Sequence, residues 1–370
     1  MKRRIAWSAI IALCLCTAGC GITKQPEPSK MESEDTSVVN EHEIEETVSE
    51  IETEETESKS MDTEIESIAL ETETEPEETE SASEEEETRQ AAERIICWGD
   101  SLTYGQGGNG VTYPSVLESK LNLTVVNYGI QGETARQIGI RMGLLPMTAG
   151  TFEIPSETNP VEVSLWQNGE DPIMMRLGDC GINPCRIAGV EGTLSYEAAD
   201  NKYYFTRREP GTAVLAPEGS QVETFASGDK RESDIIVIFA GSNLPPNKDT
   251  VGELIQIERQ MLEYLGAERY IIIGLTSKTL IPDVEAINQA LAAEFGEHFL
   301  DIRAYFLEHG LADAGLQPTE QDQMDLAAGE IPSGIRVDEI HGNEAFYRMI
   351  GEQVYQKLEQ LGYISEQEKK

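Results

Sequence analysis

Four short apolar runs, at 94–98, 123–127, 235–240 and 270–275, alternate with amphipathic stretches at 113–120, 134–142, 250–265 and 283–295. No other feature narrows the fold as much. A run of about five apolar residues has no polar side to turn to water, so it reads as a strand covered on both faces. A weaker fifth strand falls at 299–302. The last long stretch, 343–361, places Phe346, Ile350, Val354 and Leu358 on one helical face. Strands alternating with helices imply a parallel sheet with helices on both sides.

The stretch 144–232 breaks that alternation. Short β-prone segments at 152–154, 161–166, 186–196, 203–206 and 212–215 are separated by Gly, Pro and Asn turns. They read as a small all-β insertion between the second and third core strands. Its aromatics, Trp166, Tyr196, Tyr203, Tyr204 and Phe205, suit either sugar stacking or an ordinary small β core.

Upstream of the first apolar run the chain changes character. Residues 31–90 hold 25 acidic and 2 basic side chains, out of a formal charge of −40 for 370 residues. Rich in Glu, Ser and Thr, 21–92 lacks the apolar mass to offset the entropy of ordering and is expected to be a disordered acidic tether. Residues 91–370 keep a charge of −21, and the −40 of the whole chain argues against a nucleic-acid partner, since phosphates demand a basic surface. Lys2-Arg3-Arg4 precedes an apolar stretch at 5–16, shorter than the roughly 20 residues a membrane span requires. Thr17-Ala18-Gly19-Cys20 then resembles a bacterial lipoprotein cleavage site, although Thr17 stands where leucine is usual. The expectation is a signal peptide at 1–20, a lipid anchor on Cys20 and a protein held at the cell membrane, facing outside the cytoplasm. Of the six cysteines, Cys180 and Cys185 form the one plausible pair. A disulfide closing that loop is expected, with two free thiols as the alternative.

The chemistry concentrates at strand ends. The first run leads into Gly99-Asp100-Ser101-Leu102, which puts a serine at the carboxyl edge of the sheet, where open α/β folds bind ligands. A serine hydroxyl is a weak nucleophile and needs a base, itself oriented by an acid. Of four histidines, His42 lies in the tether, and His298 and His309 have no acid at matching loop spacing. His341 has Asp338 three residues upstream, close enough for one turn to aim both side chains at one point. So few histidines also make a His-rich metal site unattractive; no metal and no cofactor are expected. Gly105-Gln106-Gly107-Gly108-Asn109-Gly110 fits the dinucleotide fingerprint, but 99–104 intervene between it and the strand, and the second strand ends in Asn127 where an acid is required.

Four blocks in order carry a resemblance: Gly99-Asp100-Ser101-Leu102, then 127–134 with Gly129 and Gly132, then Gly241-Ser242-Asn243, then Asp338-x-x-His341. The chain resembles the SGNH, or GDSL, family of serine hydrolases over 93–143 and 233–370, with 144–232 outside the match. The resemblance implies a three-layer α/β/α, flavodoxin-like parallel sheet. It also implies Ser101 as nucleophile, His341 as base and Asp338 as its orienting acid. The oxyanion hole would come from the backbone N–H groups of Ser101 and Gly132 and the side chain of Asn243. One departure is Leu244-Pro245-Pro246, where the family usually has Asp after the block Asn; it implies a changed substrate wall. The expected activity is removal of a short acyl group, acetyl above all, from a carbohydrate polymer. A lipase or lysophospholipase is the rival enzyme, and a surface binding module without catalysis the rival of another class.

Overall fold

The computed structural model describes residues 92–166 and 174–370. The expected signal peptide, Cys20 and the tether lie outside the described residues, save for its last residue, Ala92. Five parallel strands form the central sheet: β1 (Arg94–Gly99), β2 (Thr124–Gly129), β3 (Ile235–Phe239), β4 (Arg269–Ile273) and β5 (Phe299–Leu300). Their order is β5-β4-β3-β1-β2, with every pairing parallel. The strand order therefore reverses between β1 and β3, and ligands bind such sheets in the crevice at the carboxyl ends beside that switch.

Strand alternation decides which layer each residue joins. Ile95, Cys97, Ile235, Val237 and Phe239 face a core shared with helices α2 (Tyr113–Lys120), α6 (Ile302–Asp313) and α8 (Glu344–Gln360). Ile96, Trp98, Ile236 and Ile238 face the opposite core, with α3 (Ala135–Met142), α4 (Val251–Leu265) and α5 (Val284–Phe295). This is the three-layer α/β/α arrangement expected. A four-residue helix, α1 (Ser101–Tyr104), turns the chain off β1, and α7 (Glu320–Ala328) precedes the final loop.

Antiparallel strands occupy the region between β2 and β3 in sequence. One seven-stranded sheet and a two-stranded pair, Phe152–Ile154 with Val214–Ala216, enclose a separate core around Ile154, Val163, Ile187, Leu194 and Phe205. The stretch read as one strand at 186–196 is instead a hairpin of Cys185–Ile187 and Val190–Glu197. Ala188 and Gly189 both have positive φ, 48° and 78°, the two-residue turn whose twist suits a hairpin.

The expected disulfide is absent: Cys180 and Cys185 are free thiols. Cys185 opens a buried strand inside the insertion's core, whereas Cys180 sits half-buried in the preceding turn, outside that core. Asn183 ties the intervening loop to Leu194 through both its amide groups, at 2.8 Å each, so the loop is closed without a covalent link.

Candidate active site

The serine is placed by its neighbours. Gly99 ends β1 so close to β3 that a Cβ would lie 2.5 Å from the Phe239 carbonyl oxygen. Asp100 then caps α1, its carboxylate accepting from the Leu102 N–H at 2.9 Å. Ser101 thus opens the helix, and its own N–H has no carbonyl four residues back to donate to. Burial pushes the Asp100 carboxyl up to about 7, against the Leu102 N–H and with repulsion from Glu133 adding to the rise.

The histidine arrives from the other end of the sequence. Asp338 Oδ1 accepts the N–H groups of Ile340 and His341 at 2.8 and 2.7 Å, folding the four residues 338–341 into a tight turn. The turn is closed by Val337 N–H donating to His341 O at 2.9 Å, and Asn343 caps α8 directly beyond it. Asp338 Oδ2 then lies 2.8 Å from His341 Nδ1, and His341 Nε2 lies 2.8 Å from Ser101 Oγ. A carboxylate can only accept, so Nδ1 carries the hydrogen and Nε2 presents its lone pair to the serine hydroxyl. Although partial burial raises the Asp338 carboxyl, the His341 and Ile340 N–H groups and the imidazole hold it below the usual carboxylate range. Ser101 and His341 are both buried, at 3% and 9% exposure, which shields the pair from competing water.

Beyond β2 and β3 lie the other expected residues. Gly132 has φ +77°, a conformation that glycine adopts without strain. Its loop is tethered to the serine strand, since Ile130 N–H donates to Gly99 O at 3.2 Å. Asn243 follows Gly241 at φ +101° and precedes Leu244 at φ +52°; the latter, a non-glycine left-handed residue, costs about 1 kcal/mol. Asn243 Nδ2 donates to Glu133 O at 3.0 Å and to Asp100 Oδ2 at 3.3 Å. The shorter bond fixes the amide, and the longer is the one that can yield to an arriving oxyanion. The structure therefore brings Ser101, Gly132, Asn243, Asp338 and His341 to one sheet edge.

Two residues that the sequence reading did not single out underlie this edge. Glu133 and Arg141 form a fully buried ion pair, Arg141 Nη2 to Glu133 Oε2 at 2.5 Å. Arg141 also donates to Gly99 O at 3.4 Å and to Cys180 O at 3.1 Å, and stacks over Trp98 at 5.1 Å. One guanidinium thus joins the serine strand, the glycine loop and the insertion. The available signal was an arginine on the face of α3 that also carries Ile138 and Met142. The insertion makes a second approach: a Cβ on Gly132 would lie 3.3 Å from Leu177 Cδ1, and Leu177 is 48% exposed. Among the insertion's aromatics, Tyr203 and Phe205 are buried in its core while Trp166 stays exposed. His298 stacks on Tyr270 and bonds the Tyr363 hydroxyl at 2.9 Å, a packing role. Among the described residues no cluster of His, Cys, Asp or Glu could hold a metal ion.

No protein-family model and no curated protein matches the chain. Solved structures similar to it include a member of the lipolytic protein G-D-S-L family from Veillonella parvula, at 16% identity over 72% of this chain and 97% of that one, with a TM-score of 0.38. A peptidoglycan O-acetylesterase is similar at 13% identity over 73% of this chain and 91% of that one, with a TM-score of 0.34. Likeness at this level decides neither family nor activity, and the chemistry has to be read from the residues of the site itself.

Proposed function

We propose that the protein is a serine esterase working through an acyl-serine intermediate. The observation that carries this is the unbroken chain from Asp338 to His341 to Ser101, two contacts of 2.8 Å each. His341 Nε2 takes the Ser101 proton as Oγ attacks the ester carbonyl, and Asp338 stabilises the imidazolium that forms. The tetrahedral oxyanion is met by the N–H groups of Ser101 and Gly132 and by the Asn243 amide, one such donor being worth roughly 10²–10³ in kcat. Collapse expels the alkoxide, which takes the proton from His341 and leaves as the alcohol. His341 then deprotonates a water that attacks the acyl-serine, and collapse of the second tetrahedral intermediate releases the acid as Ser101 Oγ takes the proton back from His341.

Ser101→Ala is expected to lower kcat on small esters by about 10⁶-fold and to abolish labelling by a fluorophosphonate probe, with the fold intact by circular dichroism. Undiminished turnover in the folded variant would remove Ser101 from the mechanism.

The finer reading is a short acyl group, acetyl above all, taken from a carbohydrate polymer by an enzyme anchored through Cys20 outside the cytoplasm. Supporting it are the lipoprotein-like leader, the long acidic spacer and a surface charge of −21 over 91–370, which is repelled by anionic lipid within a Debye length of about 8 Å. Leu177 standing against Gly132 adds to this, because it takes up space beside the oxyanion hole that a long acyl chain would need. Acetate release from acetylated polysaccharide, set against hydrolysis of long-chain esters and lysophospholipid, tests it; preference for C12–C16 chains would favour the lipase alternative.

A further inference from the structure

A groove of about 520 Å³ opens beside Asn243. The exposed Leu244 lines it next to Asn243, and so does the side of α4 that carries Gln256 and Gln260. At the start of α3, Arg136 lines it too, four residues from Gly132.

Arg136 differs from most of the other arginines. Arg94, Arg141, Arg303 and Arg336 are each paired with carboxylates. Others, such as Arg207, satisfy backbone carbonyls. Among the described residues Arg136 has no ion pair, hydrogen bond or ring contact, and it is exposed. Acids outnumber bases heavily here, with a charge of −21 over 91–370, so an arginine left without one is a conspicuous exception. Glu253 lines the same groove but forms no ion pair with it. Arg348 likewise has no partner among the described residues, but it belongs to α8 and does not line the groove.

We infer that this groove is a substrate subsite in which Arg136 binds a carboxylate located near the scissile ester, so that the preferred substrate is an anionic acyl ester. The inference rests on the esterase reading and deepens it. A single guanidinium presents a planar fork that matches one carboxylate with two parallel bonds. A phosphate dianion would need further cations, and the groove has none. Amide side chains at Gln256 and Gln260 can donate to and accept from hydroxyls on the same ligand. The carboxylate can belong to the alcohol half, as in an acidic sugar, or to the acyl half, as in a half-ester of a dicarboxylic acid.

Matched ester pairs separate these sources. In one arm, an acetylated uronic acid is compared with its methyl amide. In the other, the hemisuccinate of a neutral alcohol is compared with its butyrate. The wild type is expected to favour the acid member of one arm by at least about tenfold in kcat/KM, a typical gain for a charge-assisted bidentate pair. Arg136→Gln should collapse that ratio to one or below, and Arg136→Lys should retain part of it. Equal rates within both pairs for the wild type, or an Arg136→Gln variant that slows acid and neutral members alike, would overturn the inference and leave the esterase reading standing. Absence of both hydrolysis and fluorophosphonate labelling would remove the two together.

Discussion

The parallel sheet and the β-rich insertion bury their strands in different ways, and the difference shows where chemistry can be housed. In the sheet, β1 is buried along its whole length and both faces are covered by helices. Its polar groups can emerge only at the carboxyl edge, and Ser101, Gly132 and Asn243 all emerge there. The insertion's strands alternate, as in Lys202–Arg207, where Tyr203 and Phe205 point into a core and Tyr204 and Thr206 point away. A one-sided sheet of this kind makes a wall, and among the described residues it approaches the site through Leu177, Gly178 and Cys180, with Thr224 bonded to Arg141 O at 3.0 Å behind them. The insertion is thus an accessory to a site that the sheet builds.

The sharpest way to break this comparison is to cut the link between the two regions. Arg141→Met would leave Glu133 buried without its partner, and Gly99 O and Cys180 O without a donor from the guanidinium. Losing one partner of a buried pair costs about 3–5 kcal/mol. Equilibrium urea unfolding should show that loss, with the double variant Glu133→Gln, Arg141→Met recovering part of it. A loss below about 1 kcal/mol would mean that the two regions are held together elsewhere.

The same contrast explains what the sequence reveals and what it hides. Strands covered on both sides leave continuous apolar runs, so the runs at 94–98 and 235–240 mark β1 and β3 almost to the residue. Ser101 and His341 are readable because each is set by its immediate neighbours, a strand end and an Asp-x-x-His turn. The hairpin at 186–196 is misread because its first strand is only three residues long, so the shift of the buried positions from Cys185 and Ile187 to Gly192 and Leu194 across the positive-φ pair Ala188 and Gly189 is easily overlooked. Helix α7 was missed because its sequence, Glu320–Ala328, is mostly polar, although Thr319 and Asp322 form a reciprocal cap that could have marked its start. Arg141 and Leu177 act through contacts with segments far away in sequence, which no local pattern encodes.

A smaller effect separates the two cores by pH. Glu258 on α4 is fully buried, and neither of its carboxyl oxygens has a partner among the described residues. Burial holds its carboxyl well above its ordinary value of about 4.5. A folded-state pKa raised in this way gives stability that is full below about pH 4.5 and is lost as pH rises toward the folded value. Glu258→Leu should therefore stabilise the protein by roughly 1–3 kcal/mol near pH 7, with the advantage shrinking toward pH 4.5. The insertion's buried charge, Arg207, is instead satisfied by three backbone carbonyls. A stabilisation unchanged between pH 4.5 and 7.5 would show that Glu258 is solvated in the folded state.

The smallest expected effect tests whether the insertion touches the reaction at all. Leu177 reaches Gly132 from the insertion, yet it is half exposed, so truncating it should cost little stability, within about 0.5 kcal/mol. What it should change is selectivity. Removing the isobutyl group opens room beside the Gly132 amide, and each methylene of an acyl chain newly sheltered there gains at most about 0.8 kcal/mol. Leu177→Ala is therefore expected to raise the butyryl-to-acetyl ratio of kcat/KM several-fold, up to about tenfold. The ratio is the informative quantity, since a general loosening of the site would lower both rates together. A ratio that does not move would place the insertion outside the acyl site and leave its link to catalysis in the support that Arg141 receives from Cys180 and Thr224.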